Sequence, residues 1–68
     1  MKNWSNARIK YELAERGLTL SALSVQAGLA PATLKNALRM RYPKGERIIA
    51  EAIGVQPCEI WAERYEVA

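Results

Sequence analysis

Sixty-eight residues, half of them hydrophobic and including two Trp, three Tyr and no Phe, suffice for a single small domain spanning residues 1–68. The lone cysteine excludes an internal disulfide. With no histidine and no second cysteine, zinc-finger spacing and any nucleophile–histidine pair are excluded as well, so no catalytic residue, cofactor, metal site or enzymatic activity is expected.

The net charge of +3 is unevenly spread. Residues 1–16 hold four basic and two acidic side chains, 17–34 none, 35–47 five basic and one acidic, and 48–68 one basic and four acidic. A basic block followed by an acidic tail implies one cationic face, which on a small domain usually meets nucleic acid; the plainer reading is a solvated helix surface. Residues 1–25 carry Lys2, Arg8, Lys10 and Arg16 without an apolar leader, and no stretch approaches membrane-spanning length. The expected location is therefore cytoplasmic, with no membrane partner.

Four glycines and three prolines punctuate short helices rather than strands, so the expected fold is all-α. A first helix is expected to be capped by Ser5 or Asn6, to bury Ile9 and Leu13, and to end at Gly17, with Trp4 packed beneath it. Thr19 caps a second, short helix from Leu20 to about Ala27, in which Leu20, Leu23 and Ala27 share a face, and Gly28 supplies the positive φ that ends it. A third helix starts with Pro31 at its first position and runs to about Met40. Tyr42-Pro43 breaks it, and a fourth from about Lys44 carries Ile48, Ile49, Ala52 and Ile53 up to Gly54, with Gly45 tolerable near its start. Gln56-Pro57-Cys58-Glu59 signals a fifth helix leading into Ile60 and Trp61, after which the last few residues are expected to fray.

Function concentrates in residues 19–41, where a short helix, a glycine turn and a second helix follow one another as in a helix-turn-helix. Counting about 100° per residue from Ala32, the side chains of Lys35, Asn36 and Arg39 fall within about 60° of it, while Leu34, Ala37 and Leu38 lie at least about 120° away. One face can thus pack on a core while the other presents small, amide and cationic groups to a major groove. Small residues at Ala30, Pro31 and Ala32 permit close approach. In that setting Ala32 can touch a thymine methyl, Asn36 can offer donor and acceptor together to adenine, Lys35 can donate to guanine, and Thr33 can reach a base or a phosphate. Arg39 completes the base-reading set.

The run Thr19 to Leu34 resembles the helix-turn-helix of the lambda-repressor-like superfamily. Residues 18–65 resemble, more closely, the Ner-like (Nlp) family of DNA-binding proteins. The carrying motifs are Leu20-Ser21-Ala22-Leu23-Ser24, Ala30-Pro31-Ala32-Thr33-Leu34, Asn36-Ala37-Leu38, Tyr42-Pro43-Lys44-Gly45-Glu46, and Ile60-Trp61 with Arg64-Tyr65. The resemblance implies a compact five-helix lambda-repressor-like domain and a bacterial or prophage transcriptional regulator whose third helix binds operator DNA. Two departures are visible: Ser24 stands where helix-turn-helix patterns favour alanine, and Ala62 where the family has proline.

Phosphate contacts are expected from Ser21 at the start of the second helix and from Gln26, with Arg41, Tyr42 and Lys44 extending the footprint. Arg41 also has a plainer reading, bonding the last carbonyls of the third helix. Cys58 reads as a small filler more readily than as a redox sensor, Trp61 and Tyr65 as a seal on the core rather than a base-stacking platform, and Glu12 and Glu15 as ordinary helix charges. The expected function is sequence-specific binding of double-stranded DNA, with two copies, possible as a homodimer, on related half-sites, nucleoid-associated when bound, and no small-molecule substrate. The alternative from another class is a protein-interaction module that retains the fold without binding DNA.

Overall fold

The computed structural model describes residues 3–65. Five α-helices run in the order α1 (Asn6–Glu15), α2 (Leu20–Gln26), α3 (Asn36–Arg39), α4 (Pro43–Ile53) and α5 (Pro57–Ile60), with 3₁₀ turns at Thr33–Lys35 and Ala62–Arg64. The all-α expectation holds, and α2 with α3 forms the helix-turn-helix. The expected fraying of the chain end falls on residues 66–68, outside the described residues.

Local chemistry explains most of the boundaries. Ser5 caps α1, its Oγ accepting the Arg8 N–H at 3.1 Å, and Thr19 caps α2 by accepting from the Ala22 N–H at 3.1 Å. Gly28 sits at φ +78°, where a side chain would be strained, and this left-handed step lets the Leu29 N–H return to the Ser24 carbonyl at 2.8 Å. Pro43 opens α4 at a position where a missing N–H costs nothing. Before α5, the Gln56 N–H donates to Glu59 Oε2 at 2.8 Å.

The core joins all five helices: Ile9 and Leu13 from α1, Leu20 and Leu23 from α2, Ala37 from α3, Ile49, Ala50 and Ile53 from α4, and Ile60 from α5, closed by Leu34 and Trp61. Each large aliphatic side chain so enclosed contributes about 1.5–3 kcal/mol relative to exposure. The two ends of the chain are laced together, with the Trp4 N–H on the Ile60 carbonyl at 2.8 Å and the Glu63 N–H on Asn3 Oδ1 at 2.9 Å. Trp4 packs against the core as expected, and the Arg8 guanidinium lies 3.8 Å from its ring centre.

Several expectations need correction. Ala27 is exposed rather than buried with Leu20 and Leu23, because α2 ends at Gln26 and Ser24 takes the inward place. Pro31 does not open a regular helix; Pro31 and Ala32 form a turn, the next residues are 3₁₀, and regular α geometry holds only from Asn36 to Arg39. Met40 is already extended, at φ −146° and ψ 168°. Cys58 is exposed, so it fills no core space. Gly45, expected to be merely tolerated, makes room for its neighbour: a Cβ there would meet the Tyr42 ring at 2.6 Å, so the ring would have to shift.

Candidate nucleic-acid interface

The two faces of the segment 32–39 separate as the sequence implies. Leu34 and Ala37 are completely buried and Leu38 is partly so, whereas Ala32, Lys35, Asn36 and Arg39 are exposed and Thr33 is half-buried. The departure from regular helix leaves this division intact, because a 3₁₀ turn of three residues displaces side chains by only a fraction of a turn. Burial of Leu34 and Ala37 against α2 and α4 fixes the azimuth of the outward face.

Ser24 fixes its depth. The side chain is fully buried and its Oγ accepts the Leu34 N–H at 2.9 Å, so a single hydroxyl joins α2 to the start of the 33–39 segment. Together with the return of Leu29 to the Ser24 carbonyl, this makes residue 24 the hinge pin of the turn. The preference for alanine in helix-turn-helix patterns is thus replaced here by a polar clamp.

Ser21 and Gln26 are exposed on α2, and Lys44 is exposed on the first turn of α4. A groove of about 290 Å³ is lined by Ser21 and Lys35 and also by Lys10 of α1. Lys10 is not marked by the sequence: its i+1 position after the buried Ile9 makes it a surface residue, and nothing local indicates that α1 passes beside α2 and the 33–39 segment. Arg41 and Tyr42 both make contacts within the protein. Because the chain extends at Met40, Arg41 does not continue the helix, and its guanidinium donates to the Arg64 carbonyl at 2.9 Å while lying 4.7 Å from the Tyr65 ring centre. Neither does it bond the last carbonyls of α3. Tyr42 is half-buried with its ring against Gly45.

Behind this surface lies a buried carboxylate that sequence reading passed over. Glu46 is wholly enclosed, yet its oxygens accept from the Tyr42 N–H at 2.8 Å, the Tyr65 hydroxyl at 2.6 Å and Arg64 at 3.1 Å, with Arg41 3.9 Å away. Burial alone would push its pKa up, but the Tyr65 hydroxyl, the Tyr42 amide and the two guanidiniums outweigh this and hold the carboxyl below its ordinary value. Its position three residues before Ile49 and seven before Ile53, on the apolar stripe of α4, is the signal that marks it as inward-facing. Glu12 and Glu15 behave as expected, Glu12 pairing with Arg8 and Arg16 and Glu15 accepting from the Tyr11 hydroxyl. Trp61, 2% exposed, seals the core, and Tyr65 packs on its edge.

A short helix, a left-handed glycine, and a second segment that shows small, amide and cationic groups outward define a helix-turn-helix DNA-binding domain. The model of the winged helix-turn-helix DNA-binding family matches residues 3–68. The negative regulator of transcription of Escherichia phage Mu is 49% identical over 65 residues, covering 96% of this chain and 87% of its own. That of phage D108 is 47% identical over 64 residues, at 94% and 88% coverage. Sugar fermentation stimulation protein B of Escherichia coli K12 is 44% identical over 63 residues, at 93% and 68%. The solution structure of the Mu Ner protein superposes with a TM-score of 0.83 at 48% identity, covering 97% of this chain and 89% of that one. The chain belongs to the Ner-like helix-turn-helix family. Among the described residues there is no strand, so the wing of the wider family's description has no counterpart there.

Proposed function

We propose that this DNA-binding transcriptional regulator recognises its operator by setting the 32–39 face into the major groove of double-stranded DNA, with Ala32, Thr33, Lys35, Asn36 and Arg39 at the base edges. The observation that carries this reading is the complete burial of Leu34 and Ala37 opposite exposed Lys35, Asn36 and Arg39, which gives the outward groups a rigid backing. Ser21, Gln26, Lys44 and the newly placed Lys10 surround that face and supply phosphate contacts, which set register and affinity. Arg41, held against Tyr65, adds positive charge beside the footprint. Such a short reading segment spans few base pairs, so two copies on related half-sites, meeting on the DNA, supply the required specificity. The reading involves no catalytic step, no small-molecule substrate and no cofactor, and it places the protein in the cytoplasm, on the nucleoid when bound.

The test is selection of bound fragments from random double-stranded DNA, followed by a salt titration on the best site. A defined motif is expected, with log K falling against log salt at a slope of about −3 to −5 per monomer, equivalent to roughly three to five phosphates neutralised. A flat titration, or no enriched motif, refutes the proposal.

A further inference from the structure

The last carbonyls of a helix have no partner within it, and α3 is only four residues long, so this defect affects most of its length. The Met40 N–H closes on the Asn36 carbonyl at 2.9 Å, and there the chain extends. The Ala37 carbonyl is next in line. Its partner comes from the far end of the chain: Arg64 donates to it at 2.6 Å. The same guanidinium is held at 3.1 Å by Glu46, whose other oxygen takes the Tyr65 hydroxyl at 2.6 Å, and Arg41 returns to the Arg64 carbonyl at 2.9 Å. The end of α3, the start of α4 and the C-terminal turn therefore meet at one buried carboxylate. A cation at a helix C-terminus is favoured by the helix dipole as well as by the charge-assisted bond.

Taking the DNA-binding reading above as its basis, we propose that Glu46, Arg64 and Tyr65 are positioning residues for base readout: they clamp the end of the reading segment through the Ala37 carbonyl and hold Arg41 against the C-terminal turn, without touching DNA. Glu46 is fully buried and the Arg64 side chain is 14% exposed, so their influence on DNA passes through α3. Arg39, two residues beyond Ala37, is the base-reading side chain most directly steadied. Loosening the clamp lets the outward face shift relative to the groove. Contacts that need exact geometry, those to base edges, then suffer before phosphate contacts do.

The experiment compares wild type, Arg64→Ala, Arg64→Lys and Tyr65→Phe at temperatures where melting curves show each fully folded. Binding is measured to the selected site and to a random duplex of equal length over a range of salt. The expected result is a fall of about tenfold in the selected-to-random ratio for Arg64→Ala, a smaller fall for Tyr65→Phe, partial rescue by Arg64→Lys, and an unchanged salt slope. Equal loss on both duplexes with a slope shallower by about one unit would make Arg64 a phosphate contact and overturn the proposal. An unchanged ratio with only a lower melting temperature would overturn it too. If Arg64→Ala does not fold, Tyr65→Phe decides, since it removes one hydroxyl and leaves the ring. Wild-type protein that shows no preference for a selected site refutes the DNA-binding reading itself, and this proposal with it; a preference unaffected by the variants refutes this proposal alone.

Discussion

Ser24→Ala removes one oxygen and tests whether the turn is held as described. The hydroxyl is the acceptor for the Leu34 N–H at 2.9 Å, in a site closed to solvent, so the substitution leaves a buried donor without a partner. Such an orphan costs about 1–3 kcal/mol. A domain of this size has about 3–10 kcal/mol of stability in all, and each kcal/mol moves its melting temperature by about 4–8 °C. The expected drop is therefore about 5–20 °C by thermal circular dichroism, accompanied by faster hydrogen exchange at the Leu34 amide. The alternative acceptor is the Ala30 carbonyl, which a regular α-helix would offer but which here takes the Thr33 N–H at 3.0 Å. If Ser24→Ala melts within a degree or two of wild type with the Leu34 amide still protected, the 3₁₀ turn rewinds freely into α-helix, and the clamp is not what sets the depth of the reading segment.

Leu34→Ala should cost about 2–5 kcal/mol, because the side chain is completely buried between α2 and α4; an unaltered melt would mean that the inward face of the reading segment is misassigned. Asn36→Ala should weaken the best site by about 1–3 kcal/mol and flatten the selected motif at one position, whereas Lys44→Ala should weaken all sequences alike and reduce the salt slope by about one unit. If instead Lys44→Ala alters the motif and Asn36→Ala does not, the reading surface lies beyond α3. Since Glu46 titrates below its ordinary value in the fold, the unfolded chain takes up that proton first and acid favours unfolding. The stability it confers is present above the ordinary glutamate value of 4.5 and is lost as pH falls through the depressed folded value, so melting from about pH 7 downward should show a shallower acid loss in Glu46→Gln than in wild type. Identical acid slopes would remove Glu46 as the carrier.

The helix-turn-helix was legible because its signals are local. Thr19 as cap, Gly28 as left-handed turn and the spacing of Leu34, Ala37 and Leu38 each depend on neighbours within four residues, and each is realised. What could not be read depends on distant partners or on small differences in local energy. The turn at Pro31–Ala32 and the 3₁₀ geometry of Thr33–Lys35 accompany a bond from the Leu34 N–H to Ser24, ten residues earlier, which no local signal announces. Glu46 stands on an apolar stripe, but its role becomes visible only with Arg64 and Tyr65 beside it, eighteen and nineteen residues later. Arg41 bonds the Arg64 carbonyl, twenty-three residues later, rather than the end of its own helix, and no residue near it in sequence marks that partner.

The dependence of the reading segment on distant groups follows from its length. Isolated helices shorter than about 12–15 residues are marginal in water, and α3 with its preceding 3₁₀ turn spans only residues 33–39. Hydrogen bonds within it cannot hold its shape. It is instead held on three sides: at its start by the Ser24 hydroxyl, along its inner face by the burial of Leu34 and Ala37, and at its end by Arg64 on the Ala37 carbonyl. None of these restraints uses an outward side chain. On the proposed reading, substitutions at Lys35, Asn36 and Arg39 should therefore change site preference while leaving the fold intact, whereas changes at Ser24, Leu34 or Arg64 should act on binding through the scaffold. Melting temperature and site preference should accordingly separate into two sets of residues, outward ones that move preference at constant stability and inward ones that move both.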